Sequence, residues 1–537
     1  MKRSGMLVFL FAVLIISLST AQEYRNWKGY PPVYDINGII EFKGLVYCAT
    51  KGGMFVYNPS TQKYKLFYKN NDLVSNNVLC IGATSKEIYI GFQEKGLWRF
   101  DPETEIFKQV LFPEYHTETA MHVNGMSVYD IFAKNDSILY VGHEDGLDML
   151  NLYSEELRSY TNLGPEFSEN TAVNQVKIFD DKIWVCTPIG LAVADENNPN
   201  LEFEENWKNY TYISTAINCI IRTKNSHDEI FLGTNSAGIV KLDEVNDRIV
   251  PTNLTGMSVN DFYEFKWQYW AATDKGLYKK QISIWNAVNH NNYLPLKSLA
   301  AGGYEKLWVG TMQNGLQCYS SWDYLYTPPH SEMRSETFYD LDTSESDVLW
   351  AATAYRDLNP GSVFQGLYGE TWTEYSERDH TWSSRVVTTL VDNGGLIWAG
   401  TWGFGLFVLN DDGSPDKLND KVSMVDTLKV YIRPTQADYY IVCSDIAEDS
   451  HGNIWVANYQ ADDHKIEAIP TSGAVVLDSF PVNQAQNYSP AYDDLPTAMI
   501  FKICPDEDGW VWLGTANKGV AGLYVGDDPF DKEDTEV

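Results

Sequence analysis

Eleven five-residue segments of this chain repeat one pattern, and that pattern constrains the fold more than anything else in the sequence. They are Val46-Tyr-Cys-Ala-Thr50, Ile88-Tyr-Ile-Gly-Phe92, Leu139-Tyr-Val-Gly-His143, Ile183-Trp-Val-Cys-Thr187, Ile230-Phe-Leu-Gly-Thr234 and Tyr269-Trp-Ala-Ala-Thr273. Then follow Leu307-Trp-Val-Gly-Thr311, Leu349-Trp-Ala-Ala-Thr353, Ile397-Trp-Ala-Gly-Thr401, Ile454-Trp-Val-Ala-Asn458 and Val511-Trp-Leu-Gly-Thr515. The second position is aromatic in all eleven, in a chain that is only 14% aromatic, and the fourth is Gly, Ala or Cys every time. Side chains alternate across a strand, so these two positions share a face. A large ring beside a near-bare backbone makes a knob and a hollow on which a second sheet can close. The opposite face carries mostly Ile, Val or Leu, so each segment reads as a strand buried between two sheets.

The flanks are regular too. Upstream lies an apolar strand and then a polar turn, as in Val442-Cys-Ser-Asp-Ile446 followed by Asp449-Ser-His-Gly-Asn453. Downstream, a short loop reaches a glycine and another apolar strand, at Gly96, Gly146, Gly190, Gly276, Gly315 and Gly405. Glycine there permits the positive φ of a tight hairpin. Trp207-Lys-Asn-Tyr210 and Trp372-Thr-Glu-Tyr375 read as more polar fourth strands. Four short antiparallel strands every 38 to 57 residues, with almost no helical periodicity, predict an all-β chain of β-propeller repeats with eleven recognisable four-stranded blades.

Rings usually hold four to eight blades, so eleven imply two propellers. The strand-breaking stretch Tyr326-Thr-Pro-Pro-His330 follows the seventh unit. The expected domains are a signal peptide over 1–21, a seven-bladed propeller over 22–329 and a second ring over 330–526. That second ring has four recognisable blades and is small or incomplete. An acidic, disordered tail over 527–537 is expected to follow. Trp27-Lys-Gly-Tyr30 resembles an outermost strand and is expected to complete the last blade of the first ring.

Lys2 and Arg3 precede a run of about thirteen mostly apolar residues, Met6 to Leu18, and small residues then lead to Ala21. This predicts export: a periplasmic, outer-membrane-associated or extracellular protein with no membrane span in its mature chain. The formal net charge of −33 argues against nucleic acid and anionic membranes as main partners. Seven cysteines, mostly inside apolar runs, read as small buried hydrophobes rather than a disulfide frame.

Asp72-Leu-Val-Ser-Asn-Asn-Val78 before Ile88-Tyr-Ile-Gly91, the run from Gly96 to Thr104, and Asp449-Ser-His-Gly-Asn-Ile-Trp-Val456 together resemble the repeat of the two-component-regulator propellers. That family includes extracellular sensor modules of hybrid two-component systems, which recognise glycan fragments. It also includes PorZ-like components of the type IX secretion system, with two propellers and a carboxy-terminal β-sandwich. The resemblance implies an origin in Bacteroidetes-type bacteria and about fourteen blades. This sequence shows eleven, with no kinase and no recognisable sorting domain.

Catalytic signatures are missing: no Gly-x-Ser-x-Gly, no His-Glu-x-x-His, no Cys-x-x-Cys and no phosphate loop. The nine histidines are scattered, so no catalytic or metal residues are assigned. Gly369-Glu-Thr-Trp372 imitates only the end of a sialidase Asp-box. No cofactor is expected; Asp506 and Asp508 offer carboxylates to calcium, but a polar hairpin turn is the stronger reading. The loops after the last four repeat strands are long and aromatic. They supply the candidate ligand-binding residues Tyr355, Arg356, Trp402, Phe404, Tyr459, Gln460, Asp462 and His464. Aromatic platforms beside polar groups suit sugar rings or peptide segments. The expected function is a non-catalytic binding protein for a glycan or an envelope protein partner. An accessory role in type IX secretion and a polysaccharide hydrolase or lyase are the alternatives.

Overall fold

A computed structural model describes most of residues 31–531. The longer internal segments outside the description are 111–125, 327–337, 354–363, 376–384, 411–422, 432–440 and 463–471. The signal segment, Trp27–Tyr30 and residues 532–537 also lie outside the described residues. Every strand pair is antiparallel, and in the first unit each sheet follows the chain, strand by strand. Cα packing separates two compact units, 1–328 and 329–537.

The first unit holds seven four-stranded sheets, numbered here in chain order. Sheet 1 begins with Ile36–Phe42, sheet 2 with Val78–Ala83 and sheet 3 with Val128–Ala133. Sheets 4 to 7 begin with Gln175–Phe179, Ile217–Thr223, Val259–Phe265 and Leu296–Gly302. These first strands pack one on the next in cyclic order, and that of sheet 7 packs on that of sheet 1. The fourth strand of sheet 7 is Leu325–Tyr326.

Each repeat segment is the second strand of its sheet, and the knob-and-hollow reading explains the packing. The aromatic residue of one sheet lies against the aliphatic face of the next, as Tyr140 does against Val176, Ile183 and Val185. At Gly142 an added Cβ would lie 2.6 Å from Val173 of the following sheet. Ten of the eleven aromatics are at most 3% exposed, but Trp512 is 43% exposed. The exception arises because no further sheet follows it among the described residues.

The fifth position carries its own function, which the sequence pattern alone did not reveal. The hydroxyls of Thr50, Thr187, Thr234, Thr273, Thr311, Thr401 and Thr515 each donate to the carbonyl of the glycine at or just before the start of the third strand, at 2.7–2.9 Å. The six hairpin glycines anticipated above all have positive φ, from 66° to 156°.

Polar side chains stitch the innermost strands together. Asn37, Asn174, Asn218 and Asn260 each donate to a carbonyl at the start of the next first strand, at 2.6–3.0 Å. Lys297 closes the circle by donating to Asn37 at 2.8 Å and pairing with Asp35. One residue on, Asp130, Gln175 and Asp261 accept the backbone N–H of the following sheet at Val176, Ile220 and Leu299. Carboxylates that look uninformative in so acidic a sequence are thus the inter-sheet fasteners.

Burial pushes the Asp261 carboxyl up to about 6, against the pull of Lys177 and its two backbone donors. The folded state therefore binds more protons than the unfolded one between about pH 6 and pH 4, and this group adds stability as pH falls through that window. The full shift corresponds to about 3 kcal/mol, but Asp261 keeps some solvent contact, so about 1–2 kcal/mol is expected. Asp261→Asn should be more stable than the parent by that amount at pH 7.5, with the gap closing by pH 4.5. Urea midpoints at the two pH values test this, and a gap that ignores pH would refute it.

The second unit holds four repeats, numbered here as sheets 8 to 11, of which 9 and 10 run together as one nine-stranded sheet among the described residues. Sheet 8 begins with Asp340–Thr343, sheet 9 with Val386–Val391, sheet 10 with Ile441–Glu448 and the three-stranded sheet 11 with Ile500–Pro505. Their first strands also pack in succession. The same fasteners recur: Asp340 accepts from Thr389 N–H and Asp445 from Ile503 N–H. Pro529 is buried, its carbonyl accepts the Tyr488 hydroxyl at 2.6 Å, and Phe530 packs on the core. The start of the segment expected to be a disordered tail is therefore folded onto sheets 10 and 11. All seven cysteines are reduced; six are buried and Cys504 is exposed.

Candidate functional site

The site is built where sheets 9, 10 and 11 meet. The second strand of sheet 9, Leu396–Gly403, overruns its own sheet. Its tip pairs with the first strand of sheet 10, Trp402 opposite Val442 and Gly403 opposite Ile441. That overrun carries Trp402 past the Thr401 hydroxyl clamp to the end of the sheet. Tyr459 occupies the same position after Asn458, inside the long strand Ile454–Asp462.

The result is an aromatic ladder. The Trp402 and Tyr459 rings lie 5.5 Å apart at 39°, and Tyr459 stacks on Phe501 at 5.2 Å and 28°. Trp402 and Tyr459 are half-buried, and Phe501 is 43% exposed. Sequence reasoning missed Phe501 because it sits on the first strand of the next sheet, not in a loop. The available signal was a large apolar residue at a position where first strands turn a polar side chain inward, as Asn174 and Asn260 do.

The ladder rests on a polar floor. Ser444 donates to the Ile500 carbonyl at 2.6 Å, tying sheet 10 to sheet 11 just below the rings. Lys502 pairs with Asp445 at 2.7 Å, and Asp445 also receives Ile503 N–H. Burial pushes the Asp445 carboxyl up, opposed by Lys502 and that backbone bond. Thr388 donates to Asp340 at 2.7 Å and lies 3.4 Å from Asp445.

Of the eight residues anticipated, Trp402 and Tyr459 come together. Phe404 does not join them: it packs toward the core between sheets 8 and 9, and Arg385 lies over its ring at 5.2 Å. Gln460 and Asp462 fall on the same long strand as Tyr459, with their side chains undescribed. Tyr355, Arg356 and His464 lie outside the described residues.

The turn acids have a structural use. Asp506 accepts the N–H groups of Asp508 and Trp510 and the indole N–H of Trp512, all at 2.9 Å, and these bonds hold its carboxyl below the usual range. Asp392 and Asp449 hold Trp398 and Trp455 in the same way. Among the described residues no group of three or more His, Cys, Asp or Glu is placed to hold a metal. An open, shallow cleft lies between the Asp449 and Asp506 turns, at the opposite sheet ends from the ladder. Trp372 of the incomplete Asp-box is buried in the outer strand of sheet 8.

Comparison with known proteins adds a family match for one repeat and a fold for the chain. Residues 494–517 match the family described as two component regulator propeller. The last of the eleven repeats is a two-component regulator propeller repeat. The other ten share its segment pattern. No curated protein sequence matches the chain. Among solved structures, the chain is similar to PorZ, an essential bacterial surface component of the type-IX secretion system of Porphyromonas gingivalis. The TM-score is 0.66 at 15% identity, covering 95% of this chain and 67% of that one. It is also similar to an ancestral GH74 enzyme, with a TM-score of 0.58 at 11% identity over 93% of this chain and 76% of that one. The extracellular domain of a putative hybrid two component system of B. thetaiotaomicron aligns with a TM-score of 0.46 at 17% identity, covering 95% and 67%. The likenesses to PorZ and the GH74 enzyme show the propeller fold. This chain spans about two thirds of the PorZ structure's length. No helix among the described residues is long and apolar enough to cross a membrane.

Proposed function

We infer that this is an exported, non-catalytic binding protein whose second unit recognises a glycan chain over the Trp402–Tyr459–Phe501 ladder. The observation that carries the reading is the ladder itself: three rings from three consecutive repeats in successive contact, with an exposed apolar end. Aromatic faces of this kind bind the apolar faces of sugar rings, and adjacent charged groups such as Lys502 serve hydroxyls or carboxylates. The non-catalytic reading is supported by how the nearby carboxylates are engaged. Asp340 and Asp445 both accept backbone N–H groups from the next sheet, which suits fastening rather than proton transfer.

Titration against a panel of envelope and dietary polysaccharides by calorimetry or glycan array tests this. Trp402→Ala, Tyr459→Ala and Phe501→Ala should each weaken binding about 10-fold or more, as expected for a lost stacking contact worth 1–3 kcal/mol. Saturable binding that all three variants retain would remove the site.

The likeness to PorZ supports a second reading, a protein partner on the same ladder within a secretion assembly at the cell envelope. Co-purification with secretion components, lost in Tyr459→Ala and insensitive to glycans, would select it.

A further inference from the structure

The hairpin tips of sheet 6 depart from those of its neighbours. Its first two strands, Val259–Phe265 and Gln268–Thr273, are joined by the turn Lys266-Trp267, and its last two, Gly276–Gln281 and Ile284–Ala287, by residues 282 and 283. Both turns lie at the same end of the sheet, away from the Thr273 clamp. The second and third strands pair Trp270 with Lys279, and three more steps of that register bring Trp267 opposite Ile282. Trp267 is 82% exposed, Ile282 94% and the adjoining Ile284 48%. Val245, 93% exposed, stands on the matching outer hairpin of sheet 5.

These residues are costly in this place. Trp267 has a φ of 62° and Ile282 one of 54°, a left-handed backbone that bulky and β-branched side chains resist. Sheets 1 and 4 close the same turn with Gly44 and Asp181, also at positive φ, residue types that adopt it more readily. The pair corresponding to Trp267 and Ile282 is Asp181 and Glu196 in sheet 4, and Asp228 and Glu244 in sheet 5. The strained turn is held from beneath. Lys280, whose side chain is 9% exposed, donates to the Ile282 carbonyl at 2.7 Å and pairs with Glu229 at 3.0 Å. A fold that holds two large apolar side chains in water against their backbone preference points to something outside the chain that receives them.

The local charge narrows what that is. Residues 222–248 and 264–280, most of sheets 5 and 6, carry eight Lys or Arg against seven Asp or Glu, a net charge of +1 in a chain of −33. Lys266 lies over the Phe265 ring at 5.5 Å, directly behind the tip. We propose that this end of sheet 6 docks the chain on a zwitterionic lipid bilayer, with Trp267 and Ile282 entering the boundary between headgroups and acyl chains and Lys266 meeting phosphates. Neither apolar side chain is walled by neighbours, so each projects singly, a form that enters a fluid interface rather than seats in a rigid pocket. Tryptophan and lysine beside an aliphatic residue are the types that settle at that boundary. The balanced charge spares this end the repulsion that the acidic remainder would meet. Attachment through so few side chains is weak and reversible.

The test places a nitrobenzoxadiazole label on the full chain carrying Cys504→Ser, at Ile282→Cys or, as the control, at Glu196→Cys; the other six cysteines are buried. With vesicles of phosphatidylcholine and phosphatidylethanolamine, emission at position 282 should rise at least about 3-fold and shift to the blue, while position 196 reads as in water. The readout is local to the tip, so tethering by the apolar run Met6 to Leu18 does not imitate it. Trp267→Asp gives the turn the residue that sheet 4 uses there, so the fold and its far-ultraviolet circular dichroism should be unchanged. The response at 282 should then fall about 5-fold or more. A label at 282 that responds no more than one at 196 overturns the proposal. So does a response that survives Trp267→Asp, or a label already shielded before vesicles are added, which would mean that another part of the protein covers the tip.

Discussion

Trp308→Ala is expected to destabilise the seven-sheet unit by about 3–5 kcal/mol. Trp308 is the aromatic of the seventh repeat, 1% exposed, and it fills the joint where the ring closes. It packs with Val46, Cys48, Phe55 and Tyr57 of sheet 1, its ring meeting Tyr57 edge-on at 5.7 Å. Truncation leaves a cavity between sheets that neighbouring fasteners hold apart. The Lys297–Asp35 pair and the Gly315 N–H bond to the Tyr34 carbonyl both bridge that seam and limit its collapse. The same truncation at Trp512 should cost less than about 1 kcal/mol, because no described sheet covers its exposed ring. Urea denaturation of the full chain, followed by circular dichroism, compares the two. Equal losses would mean that the knob-and-hollow joint does not carry the stability assigned to it.

Gly142→Val should cost about 3 kcal/mol, at the upper end for overpacking. Its Cβ alone would lie 2.6 Å from the Val173 Cγ1 atom, 3.1 Å from its Cβ and 3.2 Å from its carbonyl oxygen. That carbonyl belongs to a backbone fixed by the bond from Val173 N–H to the His143 carbonyl, so the sheets must separate rather than a side chain turn away. Gly514→Val is the control, with only the Lys502 side chain nearby at 3.3 Å. It is expected to change stability by less than about 0.5 kcal/mol. Thermal melts of both variants read the difference, and a tolerated Gly142→Val would show that the small fourth position is not a packing requirement.

The candidate site was legible only where it follows the repeat. Trp402 and Tyr459 could be picked out because each directly follows a segment's fifth residue, which places both at the same end of adjacent sheets. Phe501 could not, because it reaches Tyr459 through the approach of sheet 11 to sheet 10 and not through any sequence spacing. Phe404 misled for the converse reason. Its loop position suggested exposure, yet the chain turns it back between sheets 8 and 9. The roles of Asp130, Asp261, Asp340 and Asp445 were hidden by composition: among 73 acidic residues, nothing local marks those whose carboxylates meet a neighbouring sheet's N–H.

The sequence by itself determined the repeat unit, since alternating side chains make a ring and a bare backbone on one strand face a demand for a second sheet. It determined the order of strands within each sheet as well, because hairpins of a few residues allow no other neighbour. Only the tertiary structure decided which joints are filled. Closure of the seven sheets of the first unit depends on contacts between residues 260 or more positions apart, such as Lys297 with Asn37 and Gly315 with Tyr34. Such contacts arise from the angle between successive sheets, which accumulates around a ring and is written in no single repeat.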